Sequence, residues 1–191
     1  MESPQHIKSR LKSVKNIGQI TKAKNFAFID AQNLYLAIKD LGWKIDFKRF
    51  RVYLAEKYQV QKAYMFMGFL SSNQSLYTFL QEVGFILIFK PILTTKEGEA
   101  IKGNCDAELV LQAMIDFDQY DQAFIITGDG DFYCLVRHLD LQGKLGRVLA
   151  PSSKNCSSLL RRIAGKKIAF VSDLRPKIEY KKKEPHADET A

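Results

Sequence analysis

Residues 123–131, Ala-Phe-Ile-Ile-Thr-Gly-Asp-Gly-Asp, join a short apolar run to a turn rich in glycine and aspartate. A second stretch of similar form, Phe26-Ala-Phe-Ile-Asp30, also ends on an aspartate and is followed by Ala-Gln-Asn33. Short runs of consecutive apolar side chains are typical of parallel strands whose two faces are both covered. Each run therefore predicts a buried strand with a carboxylate placed at or just beyond its carboxyl end.

The same strand pattern recurs along the chain, and helical spacing fills the intervals. Strands are predicted at 26–29, 62–67, 85–89, 123–126, 147–150 and 168–171. Between them, apolar residues repeat at intervals of three and four, and three of these stripes end at or near Gly42, Gly84 and Gly143. Alternation of this kind implies right-handed crossovers, so the sequence predicts a single α/β sheet.

The composition is compatible with one full-sized hydrophobic core. The chain has 191 residues, of which 46% are hydrophobic, so one compact domain is expected. Its apolar runs fall well short of the roughly 20 residues that span a bilayer, and the first 25 residues lack the continuous apolar stretch of a secretory signal. Three widely spaced cysteines without a CxxC pair argue against a disulfide scaffold or structural zinc. We therefore expect no membrane segment and a location in the reducing cytoplasm.

The positive charge is concentrated at the beginning of the chain. The net charge is +8, and the first 25 residues hold six lysine or arginine side chains against one glutamate. We expect a basic, helical arm at 1–24, a folded domain at 25–174 and a charged, disordered tail at 175–191. Four apolar residues repeat along the arm at helical spacing: Ile7, Leu11, Val14 and Ile17. Such an arm docks on the domain, binds nucleic acid, or serves as a partner helix or transit peptide.

Three separate segments place acidic side chains where they should meet. Asp30 follows the first predicted strand, Asp129 and Asp131 follow the fourth, and Asp106 lies at the start of a predicted helix. In an open α/β sheet these positions converge on one edge, near the point where the strand order reverses. Because converging carboxylates repel one another and resist burial, a divalent cation with oxygen ligands would stabilise them. The alternatives are helix caps at Asp30 and Asp106 and an ordinary turn at 129–131.

Other common sites find no support in the sequence. It contains neither a GxxxxGKS/T phosphate loop nor a GxGxxG turn after a strand. The three histidines are scattered, and no nucleophile motif joins Ser, His and Asp. A phosphatase with an aspartyl nucleophile would want an acid where this chain has Gln32. Asp116, Asp118 and Asp121 precede the fourth strand, so we expect them on the surface of the opposite edge.

Three motifs, in this order, resemble those of a known family. Phe26-Ala-Phe-Ile-Asp-Ala-Gln-Asn33, Lys102-Gly-Asn-Cys-Asp106 and Ile126-Thr-Gly-Asp-Gly-Asp-Phe132 are similar to the signature segments of the NYN domain. The match is closest to its LabA-like branch, within the PIN-like nuclease superfamily. The resemblance covers about residues 25–172. It implies a Rossmann-like sheet of five to six mostly parallel strands with helices on both faces, and a ribonuclease that depends on Mg²⁺ or Mn²⁺.

The resemblance also assigns site residues by position. Metal-binding acids and their supporting asparagine are implied at Asp30, Asp106, Asp129, Asp131 and Asn33. All five are therefore expected in the catalytic centre, with Asp131 as the fourth acid. Many relatives carry another acid about two turns into the helix after the second motif, where this chain has Gln112 or Leu111. The number of acids, and with it the choice between one metal ion and two, stays open.

Substrate contacts are predicted around the same edge. The residues proposed for them are Lys102, Thr127, Ser152, Ser153, Arg161 and Arg162. The two serines bind phosphate or cap the next helix, and the basic run at 161–167 contacts RNA or forms a solvated face. Tyr35, Trp43 and Phe132 are candidates for stacking on bases.

Together these features predict hydrolysis of phosphodiester bonds in single-stranded RNA by metal-activated water, without a covalent enzyme intermediate. The leading alternative is an RNA- or protein-binding regulator on the same fold with weak or no catalysis. A phosphatase or nucleotide hydrolase at the same edge is the third possibility. A homodimer is compatible with all three.

Overall fold

Six parallel strands form the sheet that the apolar runs predict. The computed structural model describes residues 23–91 and 105–182. Its strands are β1 (Asn25–Asp30), β2 (Val60–Phe69), β3 (Ile86–Pro91), β4 (Ala123–Ile126), β5 (Leu145–Ala150) and β6 (Ile168–Phe170). They lie in the order β3-β2-β1-β4-β5-β6, and all pairs are parallel. The predicted α/β, Rossmann-like class is confirmed.

Seven α-helices lie within the described part of the chain. They are α1 (Ala31–Asp40), α2 (Phe47–Tyr58), α3 (Gln74–Glu82), α4 (Asp106–Ile115), α5 (Tyr133–Leu141), α6 (Ser158–Ala164) and α7 (Arg175–Ile178). The first five coincide with predicted apolar stripes. Side-chain caps and glycines define the ends of these helices. The Asp46 carboxylate accepts the N–H of Arg49 and caps the start of α2. Gly84, with a φ of 94°, allows the chain to turn after the end of α3.

Hydrophobic packing places helices on both faces of the sheet. On one face, Leu34 of α1 and Ile178 of α7 belong to the same buried cluster. On the other, Leu109 of α4 and Leu160 of α6 belong to a second cluster. Alternate side chains of a strand point to opposite faces, and alternate residues of β1 belong to the two clusters. The central strands are therefore buried on both sides, which explains their uninterrupted apolar runs.

The strand order reverses between β1 and β4, and this reversal creates the candidate site. After β1 the chain enters α1 on one face, whereas after β4 it enters α5 on the other. The connections diverge, so a crevice opens at the carboxyl ends of these two strands. Ile29 is paired with Ile126, and the residues that follow them, Asp30 and Thr127, therefore leave the sheet side by side.

The predicted disordered tail begins too early. Residues 175–178 form α7, and Ile178 is fully buried. Directly after the helix, Glu179 pairs with Ile45 in an antiparallel bridge. The prediction is wrong for this short segment because it considered mainly charge, whereas one apolar side chain packed into the core is enough to hold the chain there.

Three further predictions concern residues outside the described ranges. These are the basic arm at 1–24, apart from its last two residues, Lys102, and the predicted tail from residue 183 onward. None of the described helices is both long enough and apolar enough to cross a membrane.

Candidate functional site

Asp30 is held at the end of β1 by two hydrogen bonds. One carboxylate oxygen accepts the backbone N–H of Asn33 at 3.1 Å, which makes Asp30 the cap of α1. The other oxygen accepts the hydroxyl of Thr127 at 3.2 Å, across the crevice between β1 and β4. The helix cap anticipated as an alternative is therefore present, and it orients the carboxylate within the site as well.

Thr127 links the two strand ends from a fully buried position. Besides donating to Asp30, its hydroxyl oxygen accepts the backbone N–H of Asp129 at 3.1 Å. The prediction of substrate contact is wrong for this residue, because a buried hydroxyl with both interactions made has no access to a ligand. Thr127 instead positions two of the acidic residues relative to each other.

The loop after β4 is fixed on both sides by close backbone contacts. The side-chain oxygen of Asn33 accepts the N–H of Gly128 at 2.9 Å, and the Gly128 carbonyl accepts the N–H of Ser157 at 2.8 Å. A Cβ atom on Gly128 would overlap the carbonyl oxygen of Asn155, and one on Gly130 would lie 2.6 Å from the Ser157 hydroxyl. Gly128 is therefore needed for this close approach of backbone to backbone, whereas an added Cβ at Gly130 would require the Ser157 side chain to shift.

Three carboxylates converge at this loop. Asp106 opens α4, Asp129 follows β4, and Asp131 lies two residues further on, its N–H donating to the Asp129 carboxylate at 3.0 Å. One ligand atom from each of the three lies within 4.8 Å of the others. Among the described residues Asp30 is outside this group, which differs from the prediction that paired it most directly with Asp106 and Asp129.

Asp30 shares a cleft with two of these acids. The cleft has a volume of about 310 Å³, and its lining includes Asp30, Asn33, Asp106 and Asp129. The remaining walls come from α1, from the carboxyl end of β2 and from the residue before α4: Gln32, Leu36, Phe66, Met67, Gly68 and Cys105. The structure thus brings the acids of all three motifs to one edge of the sheet.

Negative charge accumulates in this cleft. Burial raises the pKa of the Asp30 carboxyl, the hydrogen bonds from Asn33 and Thr127 oppose that rise, and the charges of Asp106 and Asp129 add to it. An anionic site of this kind gains stability when a cation binds, because the cation offsets both desolvation and mutual repulsion. Carboxylate oxygens in this number and spacing fit a hard divalent cation such as Mg²⁺ or Mn²⁺.

An ion pair that was not predicted from the sequence lies near the acids. Lys90, on β3, lies 3.3 Å from the carboxylate of Glu108, in the first turn of α4. Burial raises the pKa of the neighbouring Cys105 thiol to about 11, and Glu108 adds to the rise while Lys90 opposes it. Burial and the neighbouring acids therefore favour the protonated thiol over the thiolate, which is the nucleophilic form. The sequence did contain one indication of this pair, because Lys90 directly follows the strand predicted at 85–89.

The serines after β5 stabilise a turn. Ser152 is buried, and its hydroxyl donates to the side-chain oxygen of Asn155 at 2.7 Å and accepts the Asn155 N–H at 3.1 Å. The predicted phosphate contact is therefore wrong for Ser152, whose hydroxyl is used within the turn. Ser153 is exposed, so its contact with substrate stays a prediction. The cap of α6 is a third serine, Ser157.

No residue of the basic run at 161–167 lines the acidic cleft. Helix α6 starts near the carboxyl edge and runs back along the sheet, with Arg161 and Arg162 in its last turn. Arg161 donates to the Cys156 carbonyl at 3.4 Å. Lys167 pairs at 2.9 Å with Asp140, at the end of α5 and near the opposite edge of the sheet. The structure does not gather this run at the acidic cleft.

The three predicted stacking residues have different surroundings. Phe132 is only 1% exposed, so it belongs to the core and its predicted role is wrong. Trp43 is 5% exposed and lines a separate pocket, whereas Tyr35 is 57% exposed on α1. Tyr35 is the one of the three that projects freely enough to cover a base.

The opposite edge holds a buried acid that the sequence analysis placed on the surface. Asp116 is buried and accepts hydrogen bonds from the side chains of Gln112 and Gln119 at 3.0 and 2.9 Å. Gln112 is therefore occupied at the far end of α4, and Leu111 is exposed. Neither Gln112 nor Leu111 lines the acidic cleft, where many NYN relatives carry an additional acid on this helix.

Fold and site together define the class of protein. A parallel sheet that places acids from three motifs at its switch point is an α/β domain with a candidate metal centre. Residues 26–170 match the family model of the NYN domain, and the chain belongs to the NYN domain family. NYN domains are generally metal-dependent nucleases that bind RNA.

Among individual proteins, one of known sequence and one of known structure illustrate the similarity. The low amplitude and bright protein LabA of Synechococcus elongatus is 26% identical over 162 residues, which cover 80% of this chain and 86% of LabA. The crystal structure of a protein of unknown function from Vibrio parahaemolyticus matches with a TM-score of 0.70 and 22% identity. That match covers 86% of this chain and all of the other, and it supports the fold.

Proposed function

We propose that this protein is a ribonuclease that uses Mg²⁺ or Mn²⁺ to hydrolyse phosphodiester bonds of single-stranded RNA. The observation that carries the proposal is the convergence of Asp106, Asp129 and Asp131 within 4.8 Å at the switch point of the sheet. The membership of the chain in the NYN family supports it.

The three converging acids would hold the cation. When bound, it supplies a water with a lowered pKa and neutralises charge on the phosphate. Asp30 adds negative charge to the same cleft, while Thr127 and Asn33 hold the backbone from which Asp129 and Asp131 project. The arrangement is preorganised, because these bonds are made before any substrate binds.

Water is the nucleophile in this proposal. The one thiol that lines the cleft, Cys105, is kept protonated by burial, which raises its pKa to about 11. The proposed step is direct attack by water on the phosphorus, with an RNA oxygen as the leaving group and no covalent enzyme intermediate. The resulting product would be released without a second hydrolytic step.

RNA binding would draw on the excess of positive charge. The chain carries a net charge of +8, and much of the excess lies in the first 25 residues. Binding should weaken as salt is added, since phosphate contacts release counterions. Location in a reducing cytoplasm belongs to the same proposal and rests on the cysteine content alone.

Three labelled substrates test the proposal: a single-stranded RNA, a DNA of the same sequence and p-nitrophenyl phosphate. Each is incubated with Mg²⁺, Mn²⁺ or EDTA, using the wild type and Asp106→Asn. We expect RNA cleavage that requires the metal and falls at least about 100-fold in the variant. Turnover of the small ester alone would point to a phosphatase. Salt-sensitive RNA binding without cleavage in either metal would point to a regulator.

A further inference from the structure

Helix α1 separates the acidic cleft from a second pocket that the proposed function leaves unused. This pocket has a volume of about 430 Å³, within the range of small-molecule sites. Its walls come from α1, from the loop that follows it and from the start of α2: Tyr35, Ile38, Lys39, Gly42, Trp43, Lys44, Ile45 and Phe47. We refer to this set of residues as the aromatic pocket.

The two cavities lie on opposite flanks of the same exposed ridge. Gln32 and Leu36 line the acidic cleft, whereas Tyr35 and Lys39 line the aromatic pocket. Successive helical residues are rotated by about 100°, so these pairs alternate around the solvent-facing side of α1. The path from one cavity to the other is about 10 Å, the width of a helix with its side chains. A short stretch of an extended polymer bound at the acids would reach the pocket.

The chemistry of the aromatic pocket suits a flat ring next to an anion. Trp43 forms part of its wall, and Tyr35, which is 57% exposed, supplies the accessible aromatic ring of the lining. Lys39 and Lys44 are in the lining, and the guanidinium of Arg175 lies 5.9 Å from the Trp43 ring. Among the described lining residues there is no carboxylate.

The neighbouring acids leave the charge of the two lining lysines, Lys39 and Lys44, in place. Asp46, next to the pocket in sequence, caps α2 and pairs with Arg49 at 3.5 Å. Glu179 pairs with Arg175 at 2.8 Å and offsets the charge of that arginine. Asp40 is exposed at the end of α1 and is preceded by Lys39. Positive charge and aromatic surface together are the combination that proteins use to bind single-stranded nucleic acid.

We infer that the aromatic pocket binds a nucleobase of the RNA strand whose scissile phosphate lies at the acids. The inference rests on the proposed function for its choice of ligand. The base stacks against Tyr35, and Lys39 and Lys44 contact the adjoining phosphates. The pocket would thus set the register of the strand over α1 and contribute to the choice of cleavage position.

The single tryptophan of the chain makes this directly measurable. Because Trp43 is the one tryptophan in the sequence, its fluorescence reports on the aromatic pocket alone. Single-stranded RNA is titrated into full-length Asp129→Asn, chosen because we expect it not to cleave the RNA, and into the same protein with Tyr35→Ala or Tyr35→Phe. We expect RNA to change the Trp43 emission, the alanine variant to bind about tenfold more weakly, and the phenylalanine variant to bind normally.

The outcomes separate this inference from the proposed function. If RNA changes the Trp43 emission but the wild type never cleaves it, the pocket stands and the nuclease proposal fails. If the wild type cleaves RNA while Trp43 and both Tyr35 variants are unaffected, the nuclease stands and the pocket assignment is overturned. An emission change that depends on protein concentration and not on RNA would overturn it as well, in favour of contact between copies of the chain.

Discussion

A single hydroxyl group, that of Thr127, connects the two strand ends on which the site is built. It donates to Asp30 and accepts from the N–H of Asp129, in a fully buried position. Removing it would leave a partly buried carboxylate oxygen of Asp30 and the backbone N–H of Asp129 without these partners. Losing such partners is costly, because water only partly replaces them at these positions.

Thr127→Val is therefore expected to lower the free energy of unfolding by about 2–3 kcal/mol. Thr127→Ser, which keeps the hydroxyl and loses a methyl group, should cost about 1 kcal/mol or less. Urea denaturation of the two variants beside the wild type measures the difference. Equal losses for valine and serine would show that the hydroxyl has no structural role.

The raised pKa of Asp30 predicts how stability depends on pH without divalent cations. Since burial raises this pKa in the folded state, protonation of Asp30 favours folding, and that contribution is lost as pH rises through the folded-state pKa. Asp30→Asn, which removes the charge, should be more stable than the wild type at neutral pH. Its advantage should shrink as the pH is lowered to about 4.

Urea denaturation in EDTA at the two pH values measures this dependence. Asp118→Asn, at an exposed acid of the opposite edge, is the matched control and should show no such change. An advantage of Asp30→Asn that is the same at both pH values would contradict the account.

The loop at 127–131 has its shape because Gly128 lets its backbone meet that of Asn155, and Gly130 lets it approach the Ser157 side chain. Its closest neighbour is the segment that carries Asn155 and Ser157, before α6. The acids project from this loop, so its position determines their spacing.

Gly128→Ala should cost about 3 kcal/mol of folding stability, because the added Cβ would overlap a backbone oxygen that can move only with its loop. Gly143→Ala is the control: its Cβ has open space, and a φ of 68° alone should cost about 1–2 kcal/mol. Thermal or urea unfolding ranks the two. A smaller loss for Gly128→Ala than for Gly143→Ala would contradict the packing described here.

The strands and the convergence of the acids were predictable, because both follow from local patterns and a general rule about parallel sheets. The runs at 26–29 and 123–126 match β1 and β4 closely, since strands buried on both faces must be apolar throughout. The role of Thr127 was not predictable, because its partners come from a distant part of the chain. The burial of Asp116 likewise depends on partners that come together only in the folded structure.

At the scale of the molecule, the end of the chain returns to the face that carries α1 and α2. Ile178 is fully buried there, and the bridge between Glu179 and Ile45 adds a backbone contact. Residues 175–179 therefore pack on the same face of the sheet as α1 and α2, which line the aromatic pocket.

Ile178→Ala should reduce the free energy of unfolding by about 3 kcal/mol, because a fully buried aliphatic side chain would leave a cavity. Lys181→Ala, at an exposed position, should change it by less than about 0.5 kcal/mol. Denaturation curves for both variants measure the effect. A neutral Ile178→Ala would mean that α7 contributes nothing to the fold.

The central claim is that the converging acids hold the cation used to cleave RNA. The rate of RNA cleavage as a function of Mn²⁺ concentration, for the wild type, Asp129→Asn and Asp118→Asn, tests it most directly. The account predicts a saturable dependence on Mn²⁺ for the wild type and for Asp118→Asn, and a rate lower by about 100-fold or more for Asp129→Asn. Cleavage by Asp129→Asn at the wild-type rate, with the same dependence on Mn²⁺, would contradict it.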